Sequence, residues 1–255
     1  LSPVDDLLIR IERPLDLDSN GQLVASVLSK KVAAGSTHVV IDIPVGPTAK
    51  VRTPGEADAL RSQLIEVGAA VGLELRCLLT DGSEPVGRGI GPALEARDVL
   101  AVLRGQPEAP ADLRSRALDI AAAVLELAGA APPGAGRRMA DEVLEDGRAW
   151  RKFQAIAEAQ GGLSEPPTAG YRHPVLAERD GRVAAIDNRR LARAAKLSGA
   201  PGDPAAGLEL HAPIGATVER GQPLFTLHAE TPGELAYALA YVAAEPEIVR
   251  LADAP

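Results

Sequence analysis

Apolar positions between residues 20 and 79 follow first a helical period and then a strand period. Leu23, Val24, Val27, Leu28 and Val32 recur at steps of three and four around the run QLVASVLSKK (22–31). At 100° per residue they cover one broad arc, which predicts an amphipathic helix. Ser19 or Asn20 is placed to cap its first turn, and Gly35 to supply a left-handed stop. Ser26 and Lys30, four apart, stack along the edge of the arc. Lys31 falls inside the arc and must either snorkel outward or distort the last turn. Residues 37–43 (THVVIDI) then predict a buried strand, 56–71 a helix with Leu60, Leu64, Ile65 and Val67 inward, and 73–79 (LELRCLL) a second strand. This order predicts a βαβ crossover and a parallel or mixed sheet.

The flanking sequence is less regular. Residues 7–11 (LLIRI) form a short apolar run with one charge, Arg10, broken by Glu12, Arg13 and Pro14. Residues 81–92 carry Gly82, Gly87, Gly89 and Gly91, a density that invites a dinucleotide or phosphate-loop reading. Neither a GK[ST] nor a G-x-G-x-x-G spacing is present, so a tight connection into a helix over 93–103 is expected instead. Helices are predicted at 112–127 and 138–160, the second with a break at Gly147. Residues 161–170 (GGLSEPPTAG) read as a linker. Beyond it come short β-prone runs at 173–178, 182–186, 207–211, 217–219 and 223–228, with helices at 188–197 and 234–244. A domain boundary is placed near Gly170.

Composition narrows the function classes. The chain has 255 residues, 46% of them hydrophobic, enough for more than one domain. With aromatics at 2% the core must be aliphatic. A net charge of −8 without a basic block argues against a nucleic-acid partner. Cys77 is the only cysteine, so neither an internal disulfide nor a CxxC metal site is available. It fits a reduced, cytoplasmic setting. No apolar run reaches the roughly 20 residues that span a bilayer, so no membrane partner is expected. His38, His173, His211 and His228 stand singly, with no HxxxH pair, and read as satisfied core or surface histidines. The chain opens on Leu1 in what reads as the middle of a domain, and the C-terminal portion of a longer protein is expected.

A hydroxyl and an ammonium beside apolar surface, as at Ser26 and Lys30, can hold a planar polar ligand by its edge. The plainer reading is a capped amphipathic helix with a solvated lysine. The motifs around this pair carry a resemblance. Ser26-Val27-Leu28-Ser29-Lys30-Lys31, Ala33-Ala34-Gly35 and the strand ending Asp42-Ile43-Pro44-Val45-Gly46 resemble the thymidine and pyrimidine-nucleoside phosphorylases, the class II nucleoside phosphorylases. Leu79-Thr80-Asp81-Gly82-Ser83-Glu84-Pro85-Val86-Gly87 and Gly91-Pro92-Ala93-Leu94-Glu95-Ala96 agree as well. The phrasing of residues 36–46 and 91–97 is most similar to the branch that contains the archaeal AMP phosphorylases.

The resemblance implies an α/β fold in three segments. Residues 1–35 would be the remnant of a small helical domain carrying base-binding residues. Residues 36–169 would be the C-terminal part of an α/β domain with a mixed sheet and flanking helices. Residues 170–255 would be an α+β, barrel-sandwich-like domain. It also implies reversible phosphorolysis of a pyrimidine nucleoside such as thymidine to free base and (deoxy)ribose 1-phosphate. Inorganic phosphate would be the co-substrate, and no cofactor would be required. The base would be held by Arg10, Ser26 and Lys30, with Lys30 catalytic and Arg13 the fallback for Arg10. An arginine presents a fixed fork of donors to a carbonyl edge. A lysine there can neutralise charge that appears on the base only in the transition state.

Further implications concern ions, partners and rivals. A structural monovalent cation would be held by the carbonyls of Val86 and Gly89 and the carboxylate of Asp98, where the family pattern has Glu. A homodimer is expected of the full-length protein. The helical arc at 23–32, lacking family neighbours here, is expected to be exposed or paired differently. No K-x-S-x-G-G phosphate loop occurs in the sequence. The run 215–228 is similar to the hairpins of biotinyl and lipoyl carriers, but the last lysine is Lys196, inside a predicted helix, so the carrier reading has no attachment site. Three readings remain: a pyrimidine-nucleoside phosphorylase, a phosphorylase of nucleoside monophosphates such as AMP, and a non-catalytic binding module.

Overall fold

The computed structural model describes residues 20–253 together with Leu7 and Ile11. The fold is α/β, with helices and several sheets. By contacts, the described residues form two compact units. One runs to Asp81 and includes Asp119–Ala140; the other comprises Gly82–Leu118 and the chain from Asp141 onward.

In the first unit, helix α1 (Asn20–Ala33) leads into β1 (His38–Val45), α2 (Pro54–Ala70) and β2 (Glu74–Asp81). β1 and β2 pair in parallel, His38 opposite Glu74 through Val45 opposite Asp81, so the expected crossover is present. Thr53 starts α2 with a capping box: its hydroxyl accepts from the Glu56 N–H, and the Glu56 carboxylate accepts from the Thr53 N–H. The buried core joins Val24 and Leu28 of α1, Val39 and Ile43 of β1, and Ala57, Leu60 and Leu64 of α2. The expectation for α2 was half right. Leu60 and Leu64 are buried, but Ile65 and Val67 are 43% and 41% exposed. The inward stripe is instead Ala57, Leu60, Leu64 and Gly68, at steps of three, four and four. Gly68 lets the helix lie close on β2, since a Cβ there would come 3.2 Å from Leu75 Cδ1.

In the second unit, β3 (Gly89–Ile90) precedes α3 (Pro92–Leu103). Helices α4 (Ala111–Leu127) and α5 (Gly136–Glu145) each pass from one unit into the other. α6 (Arg148–Ala159) follows, and the break expected at Gly147 is real, with φ +76° there. The β-rich part holds β4 (Tyr171–Leu176), β5 (Gly181–Ile186), α7 (Asn188–Leu197), β6 (Gly207–Leu210), β7 (Thr217–Val218), β8 (Pro223–Ala229), α8 (Pro232–Ala244) and β9 (Val249–Ala252). One sheet has the order β3-β6-β8-β4 and the other β7-β5-β9, with every pair antiparallel. Between them and α7 and α8 lies a core that includes Leu191, Leu208, Phe225, Leu227 and Ile248.

Candidate functional site

The edge of α1 carries the pair singled out by the sequence. Lys30 Nζ donates to Ser26 Oγ at 3.3 Å, one turn back, and both residues are half-buried. What fixes them is the packing of the helix beside them. Val24 and Leu28 are buried, and Leu23 and Val27 pack half-covered against the same core, so the arc is paired within the chain with α2 and β1. Val32, at its end, is 47% exposed. The helix closes as a Schellman motif: Ser36 N–H donates to Lys31 O at 3.0 Å and Gly35 N–H to Val32 O at 2.9 Å, with Gly35 at φ +70°. The last turn is therefore not distorted, and Lys31 is accommodated half-buried. Ser26 and Lys30 are brought together; Arg10, Arg13 and Ser19 lie outside the described residues.

A second polar pair in the same unit was missed at the sequence level. Thr80 Oγ1 donates to Asp42 Oδ1 at 2.6 Å, toward the carboxyl ends of β1 and β2. Ile41, Ile43 and Val45 face the core shared with α1 and α2, so alternation puts Asp42 on the opposite face. The signal was available: Asp42 is the one charged residue inside an otherwise apolar strand. Open α/β sheets bind ligands beyond the carboxyl ends of their parallel strands, which gives this pair its interest.

The glycine-rich stretch is a packed connection. Asp98 Oδ2 accepts from Arg88 N–H at 2.7 Å and from Gly89 N–H at 2.8 Å, and Asp112 Oδ2 accepts from Gly87 N–H at 2.8 Å. Gly91 and Gly207 lie where β3 meets β6. A Cβ on Gly207 would stand 2.1 Å from Ile90 O, and one on Gly91 2.4 Å from Ala206 O. These glycines serve close backbone approach.

Asp98 thus meets this stretch through the N–H groups of Arg88 and Gly89, whereas a hard cation takes oxygen donors. Its Oδ2 is committed to these two N–H donors. Among the described residues no group of three or more His, Cys, Asp or Glu side chains is placed to hold a metal. The Cys77 thiol is half-buried, and burial pushes its pKa up.

Three histidines match the plain reading. His38 contacts Thr37 and Glu74, His211 contacts Thr226 Oγ1 at 2.8 Å, and His173 is exposed on β4. His228 differs: it is 3% exposed, and neither ring nitrogen has a hydrogen-bond partner. Its Nε2 lies 3.6 Å from Glu209 Oε2, and that contact leads the effects holding the Glu209 carboxyl below its usual range.

Comparison with known proteins gives these features a context. Residues 182–249 match the pyrimidine nucleoside phosphorylase C-terminal domain. The chain is 66% identical over 253 residues to "Putative thymidine phosphorylase 1" of Acidovorax sp. (strain JS42), covering 99% of this chain and 50% of that protein. It is 60% identical over 253 residues to "Putative thymidine phosphorylase" of Sphingopyxis alaskensis, covering 99% of this chain and 49% of the relative. A Legionella pneumophila protein of the same name is 58% identical over 255 residues, covering 49% of its own length. Over nearly its whole length the chain is similar to part of proteins named putative thymidine phosphorylase, and its residues 182–249 match the C-terminal domain of the pyrimidine nucleoside phosphorylases. It spans about half the length of the curated relatives it matches. Among the described residues no helix is long and apolar enough to cross a membrane.

Proposed function

We propose that this sequence supplies the base-holding side of a pyrimidine-nucleoside phosphorylase, a pentosyltransferase serving nucleoside metabolism and salvage in the cytoplasm. The observation that carries the reading is the Lys30–Ser26 contact, on a half-buried helix edge in a chain with relatives named for thymidine phosphorylase. In this reading phosphate oxygen attacks the anomeric carbon, the glycosidic bond breaks, and its electron pair leaves with the base. Lys30 neutralises the charge arriving on the base, an interaction stronger in the transition state than in the ground state. Ser26 orients the base by donating to a carbonyl or accepting from a ring N–H. Arg10 completes the set by the resemblance. The groups that hold phosphate are assigned to sequence beyond these residues, which the length of the relatives allows.

A monovalent cation, where one binds, would be held by the carboxylate of Asp98 with the carbonyls of Val86 and Gly89, tying the glycine connection to α3. A homodimer is proposed for a protein of the relatives' full length. The test is release of free base from thymidine, uridine or AMP by such a protein carrying this sequence. Phosphate-dependent release from thymidine or uridine, lost in Lys30→Ala, is the expected result. Release from AMP alone would favour the nucleoside-monophosphate reading. No release from any of them would favour a non-catalytic binding module and overturn the proposal.

A further inference from the structure

Arg97 on α3 and Arg104, the residue that caps the end of that helix, hold the segment that leads into the β-rich part. Arg97 Nη2 donates to the carbonyl of Pro167 and, at 2.9 Å, to Thr168 Oγ1. Two helical turns further on, Arg104 Nη2 lies 3.4 Å from Glu165 Oε1. The Arg104 guanidinium carbon also stands 4.8 Å from the centre of the Trp150 ring on α6. Trp150 stacks in turn on Phe153, with ring centroids 5.9 Å apart. Arginine at i and i+7 presents both guanidinium groups on one face of the helix, which is what a strand of chain lying along it requires.

The segment has the makings of a moving part. Gly161 and Gly162 take φ +109° and +104° with nothing within 4 Å of a Cβ at either; their N–H groups close α6 on Glu158 O and Ala157 O, so the chain has room to turn as it leaves the helix. At the other end Ala169 is buried, 5% exposed, immediately before β4. The intervening residues have no regular hydrogen-bonded structure, and apart from the half-buried Pro166 they are exposed. Their attachment therefore rests on solvent-facing polar contacts, which water and salt weaken. Glu165 and Pro166 line a cavity of about 380 Å³ with Arg88, Arg97, Asp98 and Glu209. Arg104 lines that cavity and also a second one, of about 520 Å³, beside Trp150.

We propose that residues 161–168 are a strap latched to α3 by Arg97 and Arg104, which opens about Gly161–Gly162 and uncovers the smaller cavity. Opening takes Glu165 and Pro166 from the cavity wall while Ala169 stays fixed. Each latch sets part of the equilibrium between closed and open forms. The strap thus belongs to the low-stability end of the fold, opening without the core.

Paired spin labels test this directly. Ser164→Cys on the strap and Val99→Cys on α3, in the full chain with Cys77→Ser, report the distance between them. The expected result is a dominant short distance with a minor longer one. The longer population grows about two- to fivefold in Glu165→Gln, which removes the Arg104 ion pair, and again in Arg97→Gln. High salt has the same effect with Glu165 present and a smaller one in Glu165→Gln. A single unchanged distance in every variant overturns the proposal. So does a longer population that rises only together with loss of the near-ultraviolet circular dichroism of the whole chain.

Discussion

Lys30 Nζ lies 3.3 Å from Ser26 Oγ, held there by a helix whose buried Val24 and Leu28 fix its roll against β1 and α2. A donor fixed before substrate arrives costs no reorganisation when charge develops on a departing base. In a full-length protein, Lys30→Ala is expected to lower kcat/KM by about 2–4 kcal/mol of transition-state stabilisation, the scale for removing one preorganised donor. Lys31→Ala, one residue on and outside the pair, is the control and should be much milder in rate. Phosphorolysis within threefold of the parent in Lys30→Ala would exclude the assigned role.

Gly207 is where the β3–β6 junction is least tolerant. Its φ is +148°, and a Cβ would stand 2.1 Å from a backbone oxygen, so relief would require moving backbone. Gly207→Ala is expected to cost about 3 kcal/mol or more in urea unfolding. Gly221→Ala separates strain from collision, since Gly221 has φ +86° but nothing within 4 Å of a Cβ. It should cost only the left-handed penalty, about 1–2 kcal/mol. Equal losses at the two positions would show that the close approach does not govern the junction.

Glu126 gives the first unit a pH dependence of known sign. Its carboxylate accepts from the N–H groups of Gly134 and Gly136 at 3.0 and 3.1 Å and pairs with Arg76 at 3.2 Å. The Gly136 N–H first, then the Arg76 guanidinium and the Gly134 N–H, hold its pKa below the usual carboxylate value against the opposing effect of burial. A carboxyl whose folded pKa is depressed contributes stability that is present above its unfolded pKa and lost as pH falls through the folded one. Glu126→Gln should therefore lower the Tm at pH 7, with the difference shrinking as pH falls below the ordinary glutamate range. A difference constant from pH 7 to pH 3 would show that the charge is not what stabilises.

The local code was largely legible. The α7 bounds follow from the sequence as found, the break at Gly147 was visible in a single glycine, and the parallel pair followed from the alternation of helix and strand. The losses have physical causes. Strands β3 and β9 were missed because one is two residues inside a glycine run and the other carries Arg250 in a four-residue stretch. Both exist through pairing with distant chain, which no local pattern encodes. Ile65 and Val67 misled because hydrophobicity alone does not say how close a helix lies; Gly68 decided that. The Ser26–Lys30 contact was visible because a helix fixes residues four apart. The Asp42–Thr80 contact was not, because it needs the register between two strands.

The last prediction concerns turnover by residues 1–255 alone. Holding a base requires donors at its edge, the role proposed for Ser26 and Lys30, which lie 3.3 Å apart. Phosphorolysis also needs phosphate held about 3–3.5 Å from the anomeric carbon, in line with the departing base. Such an anion is held by a lysine with a glycine-rich loop or a helix N-terminus. The glycine-rich stretch here has given the N–H groups of Gly87, Arg88 and Gly89 to Asp112 and Asp98, and that of Gly91 to Glu95. Those donors are occupied by carboxylates, which also repel an anion. Turnover that lacks phosphate positioning and charge stabilisation loses many kcal/mol, enough to fall below detection. No free base is therefore expected from thymidine, uridine or AMP with phosphate and the purified chain, against a no-protein blank. Base release above that blank, abolished by Lys30→Ala, would mean that these residues do assemble an anion site.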